Sequence, residues 1–435
     1  MRGSGISGTS RTRASLALAL VLTLGGTLTG CGGDGGGGSG GKVSLRFTWW
    51  GNPDRAARTE EVVKLFEQRH PDIDIATSFA GFDTYKAKLA TQAAGGDAPD
   101  VMQLDYRQIN QYATSGILLN LGEHSELRTS EIDKGLLATG VVDGKQYALP
   151  VARGTETVAY DAALWRKAGV PQPTLTWTWD DWADAMRKLS ASKATQGRRG
   201  STDPGQSEDV FEIWLRSRGK SLYTKDEKLG FTADDLTRYW EWCTKLREEG
   251  AVVPAEQTTQ MDGTVENTPL GRLKSVSDFN WDAPSSGFAP IVGEGLKLAP
   301  LPVGEDGTPG QYFKPSMFFG ASAKTAHPKQ AAQFIDFLLN DKKAGAILGA
   351  TRGIPANDAI RQDVLPKLEG FDQVVSAYQK QFEGKLEDPP PAPPKGDAAL
   401  QTTFSRDYDQ VSYERMSPRE AAENYITEAK AELRQ

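Results

Sequence analysis

Two cysteines and three histidines in 435 residues leave little material for thiol or metal chemistry. His70, His124 and His327 lie far apart, and none has metal-ligand spacing. No Gly-x-Ser-x-Gly elbow and no phosphate-cradling glycine loop follows a strand; the glycine run at 32–41 precedes the first one. Nor is there a block of lysine and arginine. The chain carries 50 basic and 57 acidic residues, a net −7, which makes it a poor candidate for nucleic acid. It also lacks a polybasic segment to hold anionic lipid. The apolar run Ser15–Leu24 is about ten residues, half of the roughly 20 that a membrane span requires. What is present, 38% hydrophobic and 25% charged residues, is the composition of a soluble globular protein. The length suffices for two or three domains with their own cores.

Residues 1–30 read as an export signal: Arg2, Arg11 and Arg13 precede the short apolar run. Removing them leaves 47 basic and 57 acidic residues, a net −10. The run ends in Leu28-Thr29-Gly30-Cys31, which resembles the lipobox of bacterial lipoproteins. That resemblance implies cleavage before Cys31 and a diacylglyceryl group on its thiol. Each buried CH₂ contributes about 0.8 kcal/mol, so several acyl chains anchor stably where one does not. The protein is therefore expected on the extracytoplasmic face of the membrane. Cys243 is left without a disulfide partner. It follows Leu236, Tyr239 and Trp240 at helical spacing, the pattern of a buried thiol in a helix core. Residues 31–42, nearly all glycine, form a flexible tether.

From Lys42 strand and helix patterns alternate. Val43–Trp50, Ile73–Phe79 and Val101–Leu104 read as strands, with helices between them, which predicts right-handed crossovers and a mainly parallel α/β sheet. Thr178 with Asp181, and Thr232 with Asp235, open helices as capping boxes. Pro328 starts another, and Pro418–Arg434 forms the last. Asp388–Pro394 is an extended, polyproline-like strut.

Ligands of open parallel sheets bind beyond the carboxyl ends of the strands. Those ends offer Trp49, Trp50 and Asn52; then Phe82 and Asp83; then Asp105, Tyr106 and Arg107. Rings beside hydrogen-bonding groups suit a sugar, whose C–H faces stack while its hydroxyls pair. One tryptophan of the adjacent pair must point inward.

Six segments then carry a family likeness: Phe47-Thr-Trp-Trp-Gly-Asn52, Ala98-Pro-Asp-Val101, Tyr112–Leu118, Gly144–Pro150 with Val158–Asp161, Phe319-Gly-Ala-Ser322 and Gly353-Ile-Pro355. Their order and spacing resemble the extracellular solute-binding proteins of bacterial ABC importers, in the sugar-binding, maltose-binding-protein-like cluster. The resemblance implies a two-lobed periplasmic-binding-protein-like fold with three interlobe crossings, near Arg153–Thr157, Met317–Gly320 and Thr351–Arg352. Lobe 1 would hold 43–155 plus 319–350, and lobe 2 would hold 156–316 plus 353–435. It implies a monomeric receptor, without metal or cofactor, that hands an oligosaccharide to membrane permease subunits. Trp281, between Asn280 and Asp282, matches the segment from which family members present a stacking tryptophan. Glu156 and Arg352 fall at crossings, where hydrogen bonds could register closure. Gly154 departs from members that carry an acid there. The expected ligand-binding set is therefore Trp50, Asn52, Phe82, Asp83, Asp105, Tyr106, Glu156, Asn280, Trp281, Asp282 and Arg352.

Competing classes are a secreted carbohydrate hydrolase, with Asp105 and Asp282 as its carboxylate pair, a receptor for a non-sugar polar solute, and an adhesive lipoprotein. The last leaves the strand-end aromatics without a task.

Overall fold

Leu45, Phe47 and Trp49 are buried along β1 (Val43–Trp50) while their neighbours are not, and this alternation starts the larger sheet. The computed structural model describes residues 42–434. The signal peptide, Cys31 and the tether thus lie outside the described residues, as does the side chain of Asp83. Helix Pro53–Arg69 leads from β1 to β2 (Ile73–Ala80), and helix Phe82–Ala94 leads on to β3 (Val101–Leu104). Both pairings with β1 are parallel. A two-stranded hairpin, β4 (Val141–Val142) and β5 (Lys145–Gln146), precedes β6 (Ala148–Gly154).

Only Thr155 separates β6 from β7 (Glu156–Asp161), which joins a second sheet with β8 (Ser277–Trp281) and β9 (Leu296–Ala299). The chain returns to the first sheet as β10 (Lys314–Ala321) and then β11 (Ile354–Pro355). The six-stranded order is β11-β6-β10-β3-β1-β2. β10 runs antiparallel to both β3 and β6, and β11 antiparallel to β6. The sheet is therefore mixed where the sequence pattern predicted a mainly parallel one. β10 enters from the other lobe, so no helical crossover sets its direction.

Two segments expected at crossings have their neighbours in the six-stranded sheet. Met317–Gly320 lies inside β10, whose pairing begins at Lys314 opposite Gly154. Thr351 and Arg352 precede β11, which still pairs with β6 through Ile354 and Arg153, so both residues stay with the six-stranded sheet.

Each sheet has its own core. Phe47, Trp49, Phe66, Phe319 and Phe334 pack under the larger one. The smaller is covered by helices Trp179–Ala191, Glu208–Arg216, Ala233–Glu248, Asp397–Ser412 and Pro418–Glu432, with Trp182, Tyr239 and Trp240 buried among them. Both capping boxes form as their residues suggested. Cys243 is fully buried, and burial pushes its thiol well above the usual range.

Candidate functional site

The carboxyl end of β1 settles which tryptophan is available. Trp49 is fully buried against Phe47, ring centroids 4.9 Å apart. Period-two geometry then turns Trp50 to the opposite face, where it meets Phe82 edge-on at 5.3 Å. Phe82, at the start of its helix, remains 40% exposed. These two rings form one wall of a cleft of about 880 Å³ that draws its lining from both lobes.

Trp281, the last residue of β8, supplies the facing wall. Its indole Nε1 donates to Asp209 Oδ2 at 3.3 Å, and Lys314 Nζ sits 3.7 Å from its ring centroid. One face of this ring is thus covered by an ammonium that also lies 4.0 Å from Asp209. Between the walls, at the junction of β6 and β7, Gly154 leaves room for both neighbours. A Cβ there would stand 3.1 Å from Asp282 Oδ1 and 4.0 Å from Trp281 Cε3. An acid at this position would crowd Asp282.

Of the sequence-predicted residues, Trp50, Asn52, Phe82, Asp105, Trp281, Asp282 and Arg352 line the cleft. Asn52 also caps the first helix, its side chain accepting from Arg55 N at 2.9 Å. Three others sit elsewhere. Tyr106 is buried and stacked on Phe318, its hydroxyl donating toward the carbonyls of Pro390 and Pro391 at 2.7 and 2.8 Å, so the proline strut covers it. Asn280 alternates away from Trp281 and accepts from the Trp281 amide at 2.8 Å. Glu156 pairs with Trp281 across β7 and β8 but is buried outside the lining. Burial, with Asp209 adding to it, raises its carboxyl well above the ordinary range, against the pull of Lys314. Arg352 does not bridge the lobes. Its guanidinium donates to Gln103 Oε1 and Thr59 Oγ1, both at 2.9 Å and both in the six-stranded lobe.

Asp105 and Asp282 hold structural hydrogen bonds. Asp105 caps a turn through Arg107 N at 3.0 Å. Asp282 accepts from Ala283 N at 2.7 Å, Thr155 N at 3.2 Å and Gln379 Nε2 at 2.7 Å. Gln379 in turn accepts from Arg153 Nε at 3.0 Å, which ties β6, the lobe junction and helix Phe371–Lys380 together. Burial lifts the Asp282 carboxyl to about 6 despite these donors. The carboxyl oxygens of both residues are thus engaged as acceptors, Asp105 by a backbone amide and Asp282 by two backbone amides and Gln379.

Sequence reasoning missed the ionic part of the site. Arg107, after β3, reaches Asp209 at 3.0 Å, Asp397 at 2.9 Å and Glu208 at 3.8 Å on two helices of the other lobe. Burial opposes its charge, but these acids outweigh that and raise its pKa well above normal. Burial likewise disfavours ionised Asp209, yet Lys314 and Arg107 pull its carboxyl down. Asp209 sits in the first turn of helix Glu208–Arg216, capped by Ser207, and that Ser-Glu-Asp helix start was its only local signal.

Comparison with known proteins agrees with this geometry. Residues 50–345 match the bacterial extracellular solute-binding protein family. An uncharacterized lipoprotein from the oleD 5′ region of Streptomyces antibioticus is 28% identical over 359 residues, 76% of this chain and 73% of its own length. The diacetylchitobiose binding protein DasA of Streptomyces coelicolor is 22% identical over 284 residues, 64% of this chain and 65% of its own. A solved family 1 extracellular solute-binding protein from Alicyclobacillus acidocaldarius is 34% identical with a TM-score of 0.71, covering 91% of this chain and 99% of that one. Two lobes around a shared cleft, and a family match over most of the chain, place this protein in the bacterial extracellular solute-binding protein family.

Proposed function

We propose that the protein captures an oligosaccharide between its lobes and delivers it to the permease of an ABC importer. The observation that carries this reading is the pairing of Trp50 and Phe82 on one wall with Trp281 on the other, edged by Asn52, Asp105 and several arginines. Rings on opposing walls can sandwich the apolar faces of a sugar while polar groups at the edges take its hydroxyls. The relative DasA, named for binding diacetylchitobiose, supports a saccharide over other polar solutes.

Capture is taken to be coupled to closure of a lobe holding about 42–154 plus 314–355 on a lobe holding about 156–299 plus the C-terminal helices. A ligand biases that equilibrium only as far as it contacts the closed state better than the open one. In this reading Cys31 carries the lipid that keeps a monomeric receptor beside its permease. Loss of radiolabelled palmitate incorporation in Cys31→Ser would support the anchor, and unchanged incorporation would refute it.

The test of function is a thermal-shift screen of the full mature chain against mono- and oligosaccharides, followed by tryptophan fluorescence titration. Saturable stabilisation by a saccharide, without product release, is expected. Silence across saccharides with a response to amino acids or peptides would refute the sugar reading.

A further inference from the structure

Two arginines in this cleft have no acid to answer them. Arg55 donates Nε to Thr351 O and Nη1 to Trp50 O, each at 2.9 Å. Arg352 donates Nε to Gln103 Oε1 and Nη2 to Thr59 Oγ1. All four acceptors are neutral. Neither guanidinium makes an ion pair among the described residues, and Arg352 Nη1 is buried with no partner. Arg352 is only 5% exposed, yet both residues line the cleft. Gly51 helps to bring Arg55 into this corner: a Cβ on Gly51 would stand 2.5 Å from Arg55 Cδ, so the side chain lies along bare backbone.

The rest of the site shows what ordinary compensation looks like. Arg107 has Asp209, Asp397 and Glu208; Arg58 has Asp54 at 3.2 Å; even Arg153 has Glu383 at 3.7 Å. A buried cation whose partners are neutral acceptors and, for Arg352, the Phe319 ring 5.7 Å away is costly to keep beside a second cation without a counter-charge. Burial lowers the pKa of both guanidinium groups, that of Arg55 to about 10, and Arg55 presses Arg352 down further. A planar guanidinium fork with a free edge is the geometry that takes a carboxylate or phosphate.

We propose that the Arg55–Arg352 corner of the cleft receives an anionic group, a carboxylate or phosphate, carried by the bound saccharide. This rests on the saccharide-capture reading above and narrows it from sugars at large to acidic ones. Trp50, whose carbonyl holds Arg55, would then place the ring of the sugar next to its charged substituent.

The experiment is isothermal titration of the full mature chain with matched pairs of probes. One arm sets uronate-containing disaccharides against their carboxyl-reduced forms; the other sets disaccharide phosphates such as trehalose 6-phosphate against their dephosphorylated forms. The acidic member of a responding pair should bind about tenfold or more tighter than its neutral partner, the worth of one charge-assisted hydrogen-bonded contact. The responding arm identifies carboxylate or phosphate as the group. Arg55→Gln should abolish that preference, and Arg55→Lys should retain most of it, which a purely structural role for Arg55 would not produce. Where a pair responds, equal affinity for its acidic and neutral members overturns the proposal, as does a preference that survives in both Arg55→Gln and Arg352→Gln. A chain that binds no saccharide, acidic or neutral, sinks the capture reading itself, and the two failures are thereby told apart.

Discussion

Trp281 and Trp49 differ in burial, and replacing each with alanine should separate binding from folding. Trp281 is a cleft ring held by one long hydrogen bond to Asp209 and one cation–π contact from Lys314. A tryptophan covers about 150–250 Å² when packed, so one face against a sugar accounts for about 80 Å². At about 25 cal/mol per Å² that is about 2 kcal/mol, or about 30-fold in affinity. The interactions lost from the unliganded protein sum to about 1 kcal/mol, so its melting temperature should fall by about 2 °C or less. Trp49→Ala should do the reverse. Its ring is fully buried between Phe47 and the stacked Phe79, and removing it should cost about 3–5 kcal/mol through the cavity left behind. Isothermal titration with the saccharide found by screening gives the first quantity, and differential scanning calorimetry gives the second. If Trp281→Ala binds as tightly as the wild type, the ring does not touch the ligand and the two-wall picture fails.

Three further outcomes are expected. Burial raises Asp282 to about 6 in the folded state, above its unfolded value near 4. The native chain then keeps a proton that the unfolded chain loses, so this group's contribution to stability falls as pH rises from about 4 to 6 and is flat above. Asp282→Asn should flatten the melting curve in that window relative to wild type, and an identical slope in both would refute the assignment. Arg107→Met would strand Asp209, Glu208 and Asp397 without their shared cation, at about 3–5 kcal/mol by urea denaturation at neutral pH; a change under 1 kcal/mol would mean those acids rely on Lys314 instead. Cys243 should resist a thiol reagent in the native state and react once denatured, because the thiolate is the nucleophile and burial disfavours it; fast native labelling would contradict its placement.

Local periodicity made several elements readable. The alternation through Val43–Trp50 showed that one of the two tryptophans had to face outward, and the capping boxes at Thr178 and Thr232 marked helix starts directly. Those signals act over three or four residues, and the sequence carries them without ambiguity. Facing outward from a strand is not the same as facing a cleft, however. Tyr106 leaves β3 in the expected place but is covered by Pro390 and Pro391, which are 284 and 285 residues away. Asn280 and Trp281 are both expected at the ligand, but as consecutive residues of β8 they point to opposite faces. The start of β10 is equally non-local: Lys314 opens the strand by meeting Gly154, 160 residues upstream.

The charges show this limit most sharply, because sequence composition records how many there are and not which ones meet. Arg107 and Lys314 come from the six-stranded lobe, and the acids they meet, Asp209, Glu208 and Asp397, come from helices of the other lobe. These contacts already join the two lobes at 2.9–4.0 Å, so drawing the lobes apart would break them. Arg55 and Arg352 sit on one lobe only, with neutral acceptors from that same lobe. The charge that links the lobes at Arg107 is thus balanced within the protein, and the charge at Arg352 is not. In the proposed reading, the acidic group of a bound saccharide would supply the counter-charge that neither lobe gives Arg55 and Arg352, so cargo and protein together would complete the electrostatics of the cleft.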